Sequence, residues 1–126
     1  MKTRTLWALG ALMALAAIIA EAMGAHALKD ISEHGKANFR IATLFLLFHG
    51  AAFLGIAGLF RHYKSLLMDI SLSAIILGEL IFSTTVIVKV FIEDPWWGPV
   101  TPIGGGILMV GWLLFLVSAF VSEEME

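Results

Sequence analysis

The stretch LLMDISLSAIILGELIFSTTVIVKVFI, residues 66–92, is longer and more apolar than a core helix of a water-soluble protein usually is. A helix needs about 20 mostly apolar residues to cross the hydrocarbon core of a bilayer. Lipid offers no hydrogen-bond partners, so such a segment must satisfy its backbone groups internally, as a helix does. The stretch therefore predicts a transmembrane helix with one carboxyl group, Glu79, near its middle.

Three further apolar runs have the same character and predict spans over about residues 5–27, 39–60 and 104–121. The connections between the four runs are short, so consecutive helices should be antiparallel neighbours. No run shows the strict alternation of a membrane β-strand. The sequence thus predicts an all-α fold: an antiparallel bundle of four transmembrane helices, forming a single integral membrane domain over residues 1–126.

The composition agrees with a membrane protein and excludes several other classes. The chain is 60% hydrophobic and 14% charged, with a mean hydropathy of +0.93. Soluble domains average roughly 45–50% apolar and about 25% charged, and disordered chains are less hydrophobic still. A net charge of −2 does not suit a nucleic-acid partner. The absence of cysteine excludes disulfides, thiolate metal sites and iron–sulfur clusters.

The N-terminal segment has two interpretations. Residues 1–22 resemble a signal peptide that ends at the small-x-small pattern Ala20–Ala22. We expect a retained first helix instead, because the apolar run continues past that pattern. Cationic residues divide equally between the two sides, but Lys2 and Arg4 abut the first span, which usually dominates orientation. We therefore expect a multi-pass membrane protein with both termini cytoplasmic, which would lie in the inner or plasma membrane if the cell is bacterial or archaeal.

Small residues recur at helical spacing in the predicted spans. Such residues let helix backbones approach closely in lipid. In the second span they form a stripe, Ala51, Gly55 and Gly58, roughly opposite His49. Across the protein, the predicted helix-packing positions are Gly10, Gly24, Gly55, Gly104 and Gly111.

Four ionisable residues lie within the spans or at a span's end: Glu79, His49, Glu21 and His26. Charged groups there are costly and are functional candidates by default. Spans two and three are joined by a short turn, which puts His49 and Glu79 at similar depth. We expect Glu79 to face the bundle interior within hydrogen-bond or one-water reach of His49. The pair then has either a structural role or a role in a proton or ion pathway, since burial disfavours a charged carboxylate.

No catalytic, cofactor-binding or metal-binding residue is predicted. Gly104–Gly106 opens an apolar helix without the Lys-Ser/Thr of a phosphate-binding loop. A haem shared by two histidines is disfavoured, because His26 and His49 differ in depth by about 15 Å at the helical rise.

The start of the fourth helix also has a local signature. Thr101 is predicted as its N-cap and Pro102 as its first residue. Trp96 and Trp97 are predicted to lie in a turn at the membrane interface, where aromatic rings find both apolar and polar surroundings.

Several motifs resemble, in order and spacing, the domain-of-unknown-function 423 family of YgdD-like and transmembrane protein 256-like small membrane proteins. The motifs are Gly24-Ala25-His26-Ala27-Leu28, Phe48-His49, Val100-Thr101-Pro102-Ile103-Gly104-Gly105 and Gly111-Trp112. The similarity extends from about Gly10 to Phe120. It implies a four-span membrane protein without an assigned activity. The chain departs from the family pattern at Leu46, where members tend to carry Gln, and at Glu21 and Glu79, where small or apolar residues are usual.

Two functions are consistent with these features. The first is a non-catalytic structural or accessory subunit, which lies in the bilayer and packs against a larger membrane protein complex or against further copies of itself. The alternative is a small oligomeric transporter or proton- or ion-conducting unit that uses Glu79, His49 and Glu21.

Overall fold

The computed structural model describes residues 1–92 and 98–124, and four long helices account for most of them. They are α1 (Thr3–Ala27), α2 (Glu33–Leu59), α3 (Leu66–Phe91) and α4 (Val100–Val121). All four are long and apolar enough to cross a membrane, with mean hydropathies of 1.9 to 2.1 over their most apolar windows. The predicted four-helix, all-α fold is confirmed. The predicted tryptophan turn, Trp96 and Trp97, lies outside the described residues.

Two helices begin at serine caps that satisfy backbone N–H groups of the first turn. The Ser32 hydroxyl accepts a hydrogen bond from the Gly35 N–H at 3.1 Å, so α2 begins at Glu33 and not near residue 39. Much of the predicted first connection is therefore helical. Ser65 starts α3 in the same way, accepting from the Met68 N–H at 3.1 Å.

The predicted start of the fourth helix is wrong by a few residues. Helix α4 begins at Val100, with Pro99 in the cap position, so Thr101 is not the N-cap and Pro102 is not the first helical residue. The Thr101 hydroxyl instead donates to the hydroxyl oxygen of Thr85 on α3 at 2.8 Å. A contact between helices has replaced the local cap that the sequence suggested.

Three contacts gather the two chain ends and the α2–α3 turn at one end of the bundle. A two-residue strand β1 (Tyr63–Lys64) pairs antiparallel with β2 (Glu123–Glu124). Next to it, the hydroxyl oxygens of Ser65 and Ser122 are 2.8 Å apart. The Met1 amino group lies 2.7 Å from a carboxylate oxygen of Asp69. The helices therefore alternate in direction, with residues 1 and 124 on the same side.

Glycines bring the backbones together within each helical hairpin, α1–α2 and α3–α4. A Cβ atom on Gly10 would lie 2.8 Å from the Gly50 carbonyl oxygen, and one on Gly104 would lie 2.7 Å from the Phe82 backbone nitrogen. Gly24 and Gly111 are similarly close to the facing helix, so four of the five predicted packing glycines lie at helix contacts.

Gly55 is the exception. A Cβ atom there would meet nothing within 4 Å among the described residues, so Gly55 is not a packing position within that part of the chain. The reason is the direction of its face. Helix α2 turns Gly50 toward α1 and His49 toward α3 and α4, which leaves the side that carries Gly55 directed outward.

The bundle interior toward the α2–α3 turn is apolar, and all four helices contribute to it. Phe53, Leu72 and Ile75 from α2 and α3 are completely buried, and Leu6 and Leu108 from α1 and α4 join them. This core positions the polar residues of α2, α3 and α4 at the same level of the bundle.

Candidate functional site

The two central ionisable residues meet inside the bundle. Glu79 lies in the middle of α3 with no exposed surface, and His49 on α2 is 2% exposed. Glu79 Oε2 is 3.0 Å from His49 Nδ1. The predicted inward orientation of Glu79 and its proximity to His49 are therefore both found.

The partners of the His49 ring define its protonation. The indole N–H of Trp112 on α4 points at His49 Nε2, 3.0 Å away. Because an indole N–H can only donate, Nε2 must accept and therefore carries no hydrogen. The hydrogen is on Nδ1, which donates to the Phe45 carbonyl oxygen at 2.7 Å. The imidazole is thus neutral.

The same comparison of hydrogen-bond donors and acceptors applies to the Glu79 carboxyl group. Its Oε1 contacts the Ser83 hydroxyl, which also lies 3.2 Å from the Ala42 carbonyl oxygen. Serine has one hydroxyl hydrogen and a carbonyl oxygen can only accept. If Ser83 donates to Ala42, the hydrogen between Ser83 and Glu79 must come from Glu79. A protonated Glu79 beside a neutral imidazole also avoids an uncompensated charge in a fully enclosed site.

We call the set Glu79, His49, Ser83 and Trp112 the central cluster. It joins the three helices: Trp112 on α4 donates to His49 on α2, and the Ser83 hydroxyl on α3 lies within hydrogen-bond distance of the Ala42 carbonyl oxygen on α2. One polar atom of the cluster is not satisfied. The His49 Nδ1–H is directed at the Phe45 carbonyl oxygen, so Glu79 Oε2 has no well-aligned hydrogen bond among the described residues. His49 and Trp112 also border an apolar surface cleft of about 640 Å³ between α2 and α4. In the part of the chain that the structure describes, no three His, Asp or Glu residues are grouped to hold a metal ion.

The other two ionisable candidates do not reach the central cluster. Glu21 is exposed near the end of α1, where the Thr43 hydroxyl donates to its carboxylate. It lines a surface cleft together with Arg40 and Lys29. His26 is exposed in the last turn of α1. The four predicted residues therefore form one central pair and two separate sites near a membrane surface.

The polar residues that share an arc of α3 with Glu79 also separate. Ser83 is buried and bonds Glu79. Ser73 is exposed, and its hydroxyl donates a hydrogen bond to the Asp69 carbonyl oxygen at 2.8 Å. The Asp69 side chain pairs with the N-terminal amino group. Only the deeper part of the arc faces the bundle interior.

Trp112 is the member of the cluster that sequence reasoning missed. Its position offered a signal: it lies near the middle of an apolar span, away from the interface where tryptophan is enriched. A buried indole N–H normally finds an acceptor, and His49 was the acceptor available at that depth.

Comparison with known proteins places this architecture in a family. The model of a family described as "Protein of unknown function (DUF423)" matches residues 20–105, which include His49 and Glu79. The chain belongs to the DUF423 family. Together with its four apolar helices, this membership identifies a small integral membrane protein and supports the resemblance drawn from the motifs.

The curated relatives carry the same broad description. A UPF0382 membrane protein of Staphylococcus aureus strain bovine RF122 / ET3-1 is 33% identical over 113 residues, covering 89% of this chain and 92% of the relative. The UPF0382 membrane proteins of strains USA300 and NCTC 8325 / PS 47 match with the same identity and coverage. No solved structure matches the chain.

Proposed function

We propose that this protein is a non-catalytic accessory subunit that packs, through an outward stripe on α2, against a transmembrane helix of a larger membrane protein. The stripe consists of Ala51, Gly55 and Gly58. The observation that carries the proposal is the open space beside both glycines: a Cβ atom at either position would meet nothing within 4 Å among the described residues.

The contrast with four other helical glycines supports this interpretation. Gly106 on α4 is also open, but no small residue lies three or four positions from it, so it belongs to no stripe. Gly10, Gly50, Gly78 and Gly111 all lie where a Cβ atom would approach the facing helix within 3.0 Å. Helices associate in membranes chiefly by close packing of such small residues, because lipid supplies no hydrophobic driving force between them. An equivalent stripe without a facing helix in this chain fits a helix from another chain.

The central cluster favours an accessory role over conduction. Glu79 and His49 have 0% and 2% exposed surface, and their hydrogen bonds stay within the bundle. Glu79 contacts Ser83, and His49 contacts the Phe45 carbonyl oxygen and the Trp112 indole. A proton or ion pathway needs groups that connect this centre to both membrane surfaces. Glu21, the third residue of the conducting alternative, lies exposed near one end of α1.

We further propose that residues 1 and 124 face the cytoplasm, on the argument from Lys2 and Arg4. A cysteine at exposed His62 should react with an impermeant thiol reagent only after the cells are opened. A cysteine at exposed His34, at the opposite end of the bundle, should react in intact cells. The reverse pattern would invert the orientation.

The accessory role is tested by crosslinking in cells, gentle solubilisation and purification. Gly55→Leu should reduce recovery of a defined partner by about tenfold or more, as expected when an interface loses roughly 1.4 kcal/mol. Gly106→Leu is the matched control, because a Cβ atom on this α4 glycine also meets nothing within 4 Å. Its recovery should equal that of the parent.

Three outcomes would contradict the proposal. The first is a chain that stays monomeric and without a partner in native-like lipid, and the second is an equal loss in both variants. The third is recovery of only further copies of this chain, which would make the stripe a homo-oligomer contact. A proton or ion flux in liposomes that Glu79→Gln abolishes would favour the conducting alternative.

A further inference from the structure

A cleft of about 540 Å³ opens on the outer side of the α1–α2 contact, at the end of the bundle that holds the N-terminus. We call it the arginine cleft. Thr3, Arg4 and Trp7 of α1 line one wall, and Leu54 and Gly58 of α2 line the other, with Arg61 just after α2. None of these residues belongs to the central cluster.

The cleft is polar at its mouth and apolar farther in. Arg4 and Arg61 lie at the ends of their helices, so their guanidinium groups are at the level of the membrane surface. Leu54 lies seven residues before Arg61, about 10 Å deeper at the helical rise. Beside it, Gly58 leaves open space where a side chain would be. Trp7 has the amphipathic ring that favours the headgroup level.

The positive charge of the cleft is not neutralised within the described residues. Neither Arg4 nor Arg61 has an ion pair or side-chain hydrogen bond there, and no acidic residue lines the cleft. Asp69, at the same end, is engaged by the Met1 amino group at 2.7 Å. Glu123 and Glu124 lie on the strand beside Tyr63–Lys64 and not in the cleft.

The cleft around Glu21, at the opposite end of the bundle, shows the contrast. It is lined by both signs of charge, and Lys36 there pairs with Glu33 at 3.4 Å. The two clefts therefore differ in charge: three cationic and two acidic side chains line the Glu21 cleft, whereas two arginines and, among the described residues, no acid line the arginine cleft.

The start of α1 adds hydrogen-bond donors. Lys2 provides no side-chain cap, and the backbone N–H groups of Thr3 and Arg4 have no acceptor among the described residues. The first N–H groups of a helix point outward and favour an anion. Thr3 and Arg4 line the same cleft as Arg61, so these donors and the two positive charges border one cleft.

We propose that the arginine cleft binds one anionic phospholipid, with Arg4 and Arg61 on its phosphate and an acyl chain along Leu54 and Gly58. Guanidinium groups bind phosphate oxygens in a bidentate manner, and basic pockets at transmembrane helices suit acidic headgroups. A free phosphate ion would share the polar contacts but leave the apolar half of the cleft empty. This inference does not depend on the accessory role: the lipid would occupy the space at Gly58, and a partner helix would then contact the stripe at Ala51 and Gly55.

The test is retention of phosphatidylglycerol by the full chain, measured by native mass spectrometry from bilayers of phosphatidylglycerol and phosphatidylcholine. The parent should keep one phosphatidylglycerol in preference to phosphatidylcholine. The double variant Arg4→Gln/Arg61→Gln should reduce that retention by about tenfold or more, because two charge-assisted contacts are lost. Lys2→Gln/Lys64→Gln removes the same charge from residues outside the lining and should retain the lipid as the parent does.

Two further arms separate a lipid from a soluble anion. Gly58→Leu fills the apolar half without changing charge, so it should reduce phosphatidylglycerol retention several-fold. Inorganic phosphate at millimolar concentration should not displace the lipid. Equal retention in the two double variants, equal retention of both lipids, no effect of Gly58→Leu, or displacement by inorganic phosphate would each overturn the proposal.

Discussion

The contacts within the hairpins and the contact between them use different chemistry. Within α3–α4, Gly78 faces Leu108 so closely that a Cβ atom would lie 2.6 Å from the Leu108 nitrogen. Between the hairpins, the central cluster joins α2 to α4 through the hydrogen bond from Trp112 to His49, and α2 to α3 through the hydrogen bond from Ser83 to the Ala42 carbonyl oxygen. Lipid is as apolar as leucine, so neither contact depends on the hydrophobic effect as in water. The contact within a hairpin is stabilised by close approach of the two backbones. The contact between the hairpins is stabilised by hydrogen bonds between polar groups.

The largest effect should come from breaking a glycine contact. Gly78→Leu would force α3 and α4 apart, because the obstacles to its side chain are the backbone of Leu108 and the Gly104 carbonyl oxygen. We expect a loss of about 3 kcal/mol in the free energy of unfolding, the upper range for overpacking. Denaturation in mixed micelles measures it.

Gly55→Leu is the control within the same fold. Its side chain would enter open space, so stability should change by less than about 0.5 kcal/mol, as at ordinary surface positions. Similar losses of stability in Gly78→Leu and Gly55→Leu would show that the close glycine contact does not stabilise the α3–α4 hairpin.

The next effect should come from the Glu79 carboxyl group. Glu79→Ala removes a partner of Ser83 and leaves a cavity, at a cost of about 2 to 3 kcal/mol. Glu79→Gln should cost less than about 1 kcal/mol, because its amide donates to Ser83 as a protonated Glu79 does. The same unfolding assay compares the two.

Infrared spectroscopy provides a second measure of this group. The parent should show the carbonyl stretch of a protonated carboxylic acid, and that band should be absent from Glu79→Gln. The absence of a protonated-acid band from the parent, or a Gln variant as unstable as the Ala variant, would contradict the neutral network.

The smallest effect should come from Trp112→Phe, which keeps the aromatic packing but removes the donor to His49 Nε2. Interhelical hydrogen bonds in membranes average about 0.6 kcal/mol, and we expect a loss of that order. A double-mutant cycle with His49→Phe isolates the pair. Additive losses would mean that Trp112 and His49 contribute independently, and the cluster would then reach α4 without an energetic link.

The sequence predicted the helices better than it predicted their ends. The four spans follow from the length of apolar runs, a requirement of the bilayer that each helix meets alone. The Ser32 cap and the Thr85–Thr101 contact depend on competition between local and interhelical hydrogen bonds. That competition is decided only when the helices are packed.

The candidate site was partly predictable for a similar reason. His49 and Glu79 could be paired because a short turn sets their depths relative to each other. Trp112 lies beyond residues 93–97, and its rotation about the α4 axis toward His49 is set by Gly104 and Gly111 packing on α3. Chain length between spans determines depth, whereas the rotation of a helix depends on its neighbours.

The sequence by itself determined that the chain is an integral membrane protein with four helices, and that a carboxyl group and an imidazole lie at its centre. Only the tertiary structure decided that Gly10 faces a helix while Gly55 does not, and that Arg4 and Arg61 border one cleft. The hydropathy and length of a span depend on one segment alone, so they can be read from the sequence. The direction of a face is a relation between segments, and close packing of the backbones determines it.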